Sequence, residues 1–210
     1  MKRIFLASSI SVAAKSIAAE ISKEYGNKVR RLLFITTASE PKEGDLSWQK
    51  DNRQGLADAG FVISDFTITG KTGDEIQSAI KSVDVIHFNG GNVFYLLKQL
   101  QLTNSIEMFK SAIEQGKIYT GSSAGSIIAA PNIFAARNLD SVKQTGELED
   151  YLGFGLIDFL IFPHWGSEHF KNSYLNQKLE IAYTGNDKII LLRDGQYVSV
   201  IGDQYKIVGV

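Results

Sequence analysis

The sequence contains no cysteine, and this absence excludes several kinds of chemistry at once. Without cysteine there can be no disulfide scaffold, no cysteine–zinc site and no thiol nucleophile. Histidine is almost as scarce, because the 210 residues include only three. A histidine that serves as a general base must therefore be His87, His164 or His169.

Excess charge and long apolar runs are absent as well. The formal net charge is −1, whereas a nucleic-acid-binding domain normally carries a basic excess, so we expect no nucleic-acid partner. No apolar run approaches the roughly 20 residues of a membrane-spanning helix, and we expect no membrane partner. The apolar start at 4–7 is interrupted by serines from Ser8 onward and is too short for a signal peptide. We therefore predict a cytoplasmic protein.

Short apolar runs alternate with helical patterns through most of the chain. The predicted strands are 3–7, 32–36, 61–63, 83–88 and 117–120, and the predicted helices are 13–25, 46–59, 73–81, 93–100 and 104–115. This alternation is typical of right-handed βαβ units and a mainly parallel sheet. Residues 189–208 favour successive hairpins instead. We predict one α/β domain over residues 1–210, doubly wound and flavodoxin-like, with a small antiparallel C-terminal hairpin extension.

Residues 121–125, Gly-Ser-Ser-Ala-Gly, lie between a predicted strand and an apolar helical run at 127–130. This is the arrangement of a nucleophile elbow, in which a serine sits on a strained turn with small neighbours. The turn would expose the hydroxyl of Ser123 and direct the amide of Ala124 at a developing oxyanion. A glycine-rich structural turn fits the same residues, so both interpretations stay open.

A second glycine-rich turn, 88–92, ends one strand and opens a helix. Paired glycines permit a positive φ and a close approach of backbone to ligand. In a serine hydrolase, Gly91 would supply the second oxyanion amide. The alternatives are a tight turn with Asn92 as helix N-cap, which is compatible with an oxyanion role, and a phosphate-binding loop.

His164 follows an apolar run at 159–162, so it should lie at the carboxyl edge of a sheet, where doubly wound folds place their sites. His169 lies in a polar stretch and is predicted at the surface. His87 lies inside a buried run and is predicted in the core. His164 is therefore the predicted general base.

Together, these motifs resemble the dipeptidase E and cyanophycinase family of serine peptidases, which shares its fold with the class I glutamine amidotransferases. The resemblance covers nearly the whole chain and is carried by residues 5–9, 90–92, 121–125, 163–164 and 192–195. It implies that Ser123 attacks a small peptide substrate and that His164 removes its proton. It also implies that the amides of Gly91 and Ala124 hold the oxyanion, without metal or cofactor. A homodimer is compatible with the sequence.

The third triad member is less clearly indicated. Asp194 stands where dipeptidase E has a glutamate, and it follows a predicted strand, 188–192, that should lie in the same sheet as the nucleophile. Asp194 and Gly195 are also a strong type I′ hairpin signal. Both interpretations stay open. Asp140 is the alternative acid and Glu168 a more distant one.

The sequence also departs from the family in its cations. Dipeptidase E carries an arginine after the catalytic histidine, in a region linked to its preference for N-terminal aspartate. Between Pro163 and Asp187 this chain has only Lys171 and Lys178. We therefore expect no strong preference for Asp-Xaa substrates.

Two other function classes compete with the peptidase. An α/β-hydrolase esterase or amidase would share the elbow, but its acid would precede the histidine, at Asp140, Glu147 or Asp158. A catalytically inactive, amidotransferase-like binding module, or a flavodoxin-like nucleotide-binding protein using residues 90–92, would need no nucleophile. Of these, a serine hydrolase of the peptidase type is our prediction.

Overall fold

The computed structural model describes residues 1–26, 30–137, 145–146, 148–185 and 187–210. The predicted alternation of strands and helices is present from β1 to β5. The strands are β1 (Arg3–Ala7), β2 (Arg30–Ile35), β3 (Phe61–Phe66), β4 (Val85–Phe88) and β5 (Ile118–Ser122). The helices that connect them are α1 (Ile10–Tyr25), α2 (Ser47–Asp58), α3 (Gly73–Lys81), α4 (Val93–Leu102) and α5 (Ile106–Glu114).

The later elements are the helices α6 (Ala124–Ile127), α7 (Glu168–Ser173) and α8 (Leu179–Thr184), and the strands β6 (Leu160–Phe162), β7 (Ile189–Leu191), β8 (Gln196–Ile201) and β9 (Gln204–Gly209). These three helices are shorter than the earlier helices, and β6 and β7 are shorter than the earlier strands. A π-helical turn, Tyr174–Lys178, joins α7 to α8. None of the helices in the described part of the chain is both long and apolar enough to span a bilayer.

The central sheet has seven strands in the order β3-β2-β4-β5-β1-β8-β9. The first five are parallel to one another, β8 is antiparallel to β1, and β9 is antiparallel to β8. This arrangement confirms the predicted α/β fold with a mainly parallel sheet and an antiparallel C-terminal hairpin.

The prediction of successive hairpins over 189–208 was wrong for its first strand. β7 pairs with β6, in parallel, and the two form a separate small sheet. In such a series β7 would pair with β8, but both edges of β8 are occupied, one by β1 and the other by β9, so β7 has its partner outside the central sheet. Only β8 and β9 form a hairpin.

Helices cover both faces of the central sheet, because successive strand residues point to opposite sides. Within β2, Leu33 and Ile35 join the cluster packed against α3, α4 and α5, whereas Leu32 and Phe34 join the cluster beneath α1. The neighbouring strands β4, β5 and β1 end at Phe88, Ser122 and Ala7. The residues that follow these three strands therefore meet at one edge of the sheet, and the candidate site lies there.

Candidate active site

Ser123 occupies a strained turn between β5 and α6. Its backbone has φ 50° and ψ −109°, a conformation that costs a non-glycine residue about 1–3 kcal/mol. Three contacts hold it: the amide of Ser123 donates to Ala7 O at 3.1 Å, and Ser123 O accepts from the amides of Ser126 and Ile127 at 2.8 and 3.0 Å. The strained turn predicted from the sequence is therefore present. The helix that follows ends at Ile127 and is shorter than the apolar run 127–130 indicated.

The two glycines around Ser123 let the turn pack against the sheet. A Cβ at Gly125 would lie 1.8 Å from Phe88 O, and one at Gly121 would lie 2.4 Å from Gly125 O. Neither position can hold a side chain without moving backbone. The buried hydroxyl of Tyr119 then donates to Gly125 O at 2.5 Å, which fixes the first turn of α6.

The turn between β4 and α4 lies beside Ser123. A Cβ built on Gly90 would be 3.5 Å from Ser123 Cβ. Gly91 has φ 137°, and a Cβ there would be 2.1 Å from Ala38 O, so only glycine fits. Within the described residues, neither the amide of Gly91 nor that of Ala124 donates to a protein acceptor. Both amides are thus free to bind a developing negative charge.

Asn92 caps helix α4, as one of the two interpretations predicted. Its side-chain oxygen accepts hydrogen bonds from the amides of Phe94 and Tyr95 at 3.0 and 3.1 Å. Its own amide donates to Ala38 O at 2.6 Å, and the residue is fully buried. These bonds hold the backbone of the turn that carries Gly91.

His164 connects Ser123 to Asp194. Its Nε2 lies 3.0 Å from Ser123 Oγ, and its Nδ1 lies 2.5 Å from Asp194 Oδ1. The ring stacks on Phe170, with centroids 4.9 Å apart and an interplanar angle of 15°. The three predicted side chains therefore form one continuous hydrogen-bonded series.

His164 and Asp194 lie close together because they follow the two strands of the small sheet, β6 and β7. The prediction that the strand before Asp194 lies in the same sheet as the nucleophile was wrong, because β7 belongs to the small sheet. Because β6 and β7 are parallel, the residues after both strands emerge at the same edge. Two bonds between these segments hold them there: Leu192 N donates to Phe162 O, and Trp165 N donates to Leu192 O, each at 2.9 Å.

Asp194 is held in its ionised form by its partners. The hydrogen bond with His164 is the main cause that lowers the pKa of Asp194, and the hydroxyl of Ser8 acts in the same direction, whereas partial burial opposes both. The predicted type I′ hairpin is not formed, since a type I′ turn needs positive φ and neither Asp194 nor Gly195 has it. A turn is nevertheless closed by Gln196 N, which donates to Arg193 O at 2.9 Å.

Ser8, a residue that the sequence motifs did not assign to the site, contacts both His164 and Asp194. The amide of His164 donates to Ser8 Oγ at 2.7 Å, and Ser8 Oγ donates to Asp194 Oδ1 at 2.8 Å. One signal could have indicated it: a polar residue directly after β1, the strand beside β5.

The other candidate residues lie elsewhere. His87 is fully buried, its Nδ1 lies 2.9 Å from Thr120 Oγ1, and burial lowers its pKa to about 3, which confirms the prediction of a core histidine. His169 is exposed, as predicted. Asp158 and Glu168 form surface ion pairs with lysines, and Asp140 and Glu147 lie outside the described residues. No group of three or more His, Asp or Glu side chains in the described ranges is placed to hold a metal ion.

Comparison with known proteins gives a consistent result. Residues 4–208 match the sequence profile of peptidase family S51. An uncharacterized peptidase of Listeria monocytogenes is 29% identical over 204 residues, which cover 97% of each chain. An uncharacterized peptidase of Pasteurella multocida is 32% identical over 165 residues, covering 79% of this chain and 78% of the relative.

A solved structure agrees with these sequence matches. The crystal structure of a protein provisionally assigned as a peptidase E, from Listeria monocytogenes EGD-e, superposes with a TM-score of 0.86 at 26% identity. The superposition covers 100% of this chain and 99% of that one. The family resemblance inferred from the motifs is confirmed, and the chain belongs to peptidase family S51.

Proposed function

We propose that this protein is a serine peptidase of the dipeptidase E type, which hydrolyses small peptides through an acyl-enzyme on Ser123. The observation that carries the proposal is the series Ser123–His164–Asp194, with contacts of 3.0 and 2.5 Å, next to two amides that have no acceptor among the described residues. The cytoplasm remains our predicted location, from the composition of the chain alone.

The geometry supports the following sequence of steps. Ser123 Oγ attacks the peptide carbonyl carbon while His164 Nε2 accepts the hydroxyl proton. Asp194, ionised in the resting enzyme, stabilises the imidazolium through Nδ1–H. The amides of Gly91 and Ala124 bind the oxyanion. The intermediate collapses as the C–N bond breaks and His164 gives its proton to the leaving amine. Water then attacks the acyl carbon while His164 Nε2 accepts its proton, and His164 passes that proton to Ser123 Oγ as the acyl C–O bond breaks, which releases the acid and free Ser123.

The surroundings of His164 support a substrate with a neutral rather than an acidic N-terminal residue. The segment after His164 in the chain, 165–168, lines a cavity of about 220 Å³ together with Lys171, Tyr174 and Leu175. Lys171 Nζ lies 3.2 Å from Glu168 Oε1, so its charge is already compensated. An aspartate side chain would have to compete with Glu168 for that cation. We propose that kcat/KM for Asp-Xaa exceeds that for Ala-Xaa by less than about tenfold, which corresponds to about 1.4 kcal/mol.

The test of the nucleophile compares Ser123→Ala with the wild-type protein. A screen of dipeptides and acyl substrates measures hydrolysis, and a fluorophosphonate probe followed by peptide mapping locates the reactive serine. Ser123→Ala should lose several orders of magnitude in kcat and all labelling. Ser82→Ala, an exposed serine whose hydroxyl bonds to Ala79 O, is the matched control and should react normally.

Two outcomes would contradict the proposal. Full hydrolysis by Ser123→Ala would show that Ser123 is not the nucleophile. A wild-type protein that neither hydrolyses any substrate nor reacts with the probe would instead be the inactive binding module considered above.

A further inference from the structure

We propose that Ser8 is a positioning residue of this active site, whose one hydroxyl fixes both the main chain of His164 and the carboxylate of Asp194. The proposal rests on the proposed function, because it assigns Ser8 a role in keeping the base and its acid aligned with Ser123.

The hydrogen bonds at Ser8 allow only one orientation of its hydroxyl. The amide of His164 can only donate, so Ser8 Oγ accepts there, at 2.7 Å. The ionised carboxylate of Asp194 can only accept, so Ser8 Oγ donates there, at 2.8 Å. With the contact of 2.5 Å between His164 Nδ1 and Asp194 Oδ1, these bonds close a ring of three residues.

Both partners of Ser8 need such support. His164 has φ 60°, and among the described residues only two other non-glycine residues, Asn104 and Ser123, have a positive φ. The hydrogen bond to Ser8 holds this unfavourable backbone in place. The side chain of Asp194 is 51% exposed and could otherwise rotate into solvent. Ser8 is 0% exposed and directly follows a central strand, so its hydroxyl is held in a fixed position to which His164 and Asp194 both bond.

The end of β1 contacts all three proposed catalytic segments. Ala7 O accepts from the amide of Ser123 at 3.1 Å, and the next residue, Ser8, contacts His164 and Asp194. The amide of Ser8 also donates to Gln196 O at 3.2 Å, in the turn that carries Asp194. Two consecutive residues therefore set the position of the base and the acid relative to the nucleophile.

Loss of the hydroxyl should affect the chemical step more than substrate binding. Ser8 is buried and cannot contact a substrate. In Ser8→Ala, the amide of His164 loses its acceptor and Oδ1 of Asp194 loses one of its two donors. A displacement of about 1 Å can cost about 100-fold in rate. We expect kcat to fall about 10- to 100-fold with KM nearly unchanged. Ser8→Thr, which keeps the hydroxyl, should recover much of the loss.

The experiment is a double-mutant cycle on the full chain. Wild type, Ser8→Ala, Asp194→Asn and the double variant are compared by kcat, KM and the rate at which a fluorophosphonate labels Ser123. If Ser8 acts through Asp194, Ser8→Ala should cost much less in the Asp194→Asn background than in wild type. Ser9→Ala is the matched control, since its hydroxyl contacts Ser11 Oγ, and it should behave as wild type.

Further measurements separate positioning from folding. Thermal unfolding establishes that each variant is folded, and Ser8→Cys, similar in shape but a weak hydrogen-bonding group, provides a second variant if Ser8→Ala is unstable. An equal loss in both backgrounds, or a wild-type kcat in folded Ser8→Ala, would overturn the proposal. Failure of the proposed function looks different, because Ser123→Ala would then remain active or wild type would not react at all.

Discussion

The carboxylate of Asp194 lies 2.5 Å from Nδ1 of His164, although neither residue follows a strand of the central sheet. The contact exists because β6 and β7 pair in parallel, which brings the residues after both strands to one edge. Ser123 reaches the same place from β5, in the other sheet. The proposed triad is thus assembled from two sheets.

Replacing Asp194 by asparagine should impair catalysis without unfolding the protein. Asparagine has nearly the same shape but cannot hold the imidazolium or select the tautomer, so kcat should fall by about 10²- to 10⁴-fold. The melting temperature should change little. Steady-state kinetics and thermal unfolding measure the two effects.

The control for this variant is Asp203→Asn in the turn between β8 and β9, which should retain wild-type kcat. Near-normal activity in Asp194→Asn, together with a large loss of activity in Asp140→Asn, would show that Asp140 and not Asp194 is the acid.

The three histidines should differ sharply in importance. Only His164 contacts Ser123 Oγ, so His164→Ala should lose several orders of magnitude in kcat. In wild type, kcat/KM should decline on acidification, because a protonated imidazole cannot accept the serine proton. A pH–rate profile measures this decline. His169→Ala, next to the site but exposed, is the control and should keep most activity. An essential His87 with a dispensable His164 would refute the assignment.

A methyl group at Gly91 should damage the proposed oxyanion site. The added Cβ would lie 2.1 Å from Ala38 O, at a φ of 137° that side chains rarely adopt, so the turn has to move. Loss of one oxyanion donor typically costs about 10²- to 10³-fold in kcat, and we expect this range for Gly91→Ala. Gly209→Ala meets no atom within 4 Å and serves as the control. Wild-type kcat in folded Gly91→Ala would show that this amide does not contribute.

The buried His87 should make folding stability depend on pH. Burial lowers its pKa from the usual 6.5 to about 3, so below about pH 6.5 the unfolded chain binds a proton that the folded protein does not. The free energy of unfolding should therefore decrease as the pH falls from about 6.5 toward 3, by up to about 1.4 kcal/mol per pH unit from this residue.

Urea unfolding at pH 7 and pH 5 tests this dependence. His87→Gln, which cannot ionise, should show a smaller difference between the two pH values than wild type. His169→Gln, at an exposed position, is the control and should show the wild-type difference. An identical difference in His87→Gln would contradict the explanation.

The sequence was sufficient where the information is local. The alternation of apolar runs and helical patterns predicts the parallel sheet, because each strand and the helix after it are encoded by neighbouring residues. The elbow at Ser123 is predicted for the same reason, since Gly121 and Gly125 leave room for a turn against the sheet. The N-cap role of Asn92 is also a short-range effect.

Tertiary structure decided the rest, because the remaining contacts join distant segments. The sequence could indicate that 189–191 is a strand but not that its partner is β6, since this depends on which strand edges are already occupied. The sequence therefore allows two interpretations of Asp194, as an acid of the site or as a hairpin turn residue, because its surroundings depend on where β7 lies. Ser8 lies 186 positions from Asp194 and 156 from His164, and only the folded chain brings one buried hydroxyl within hydrogen-bonding distance of both.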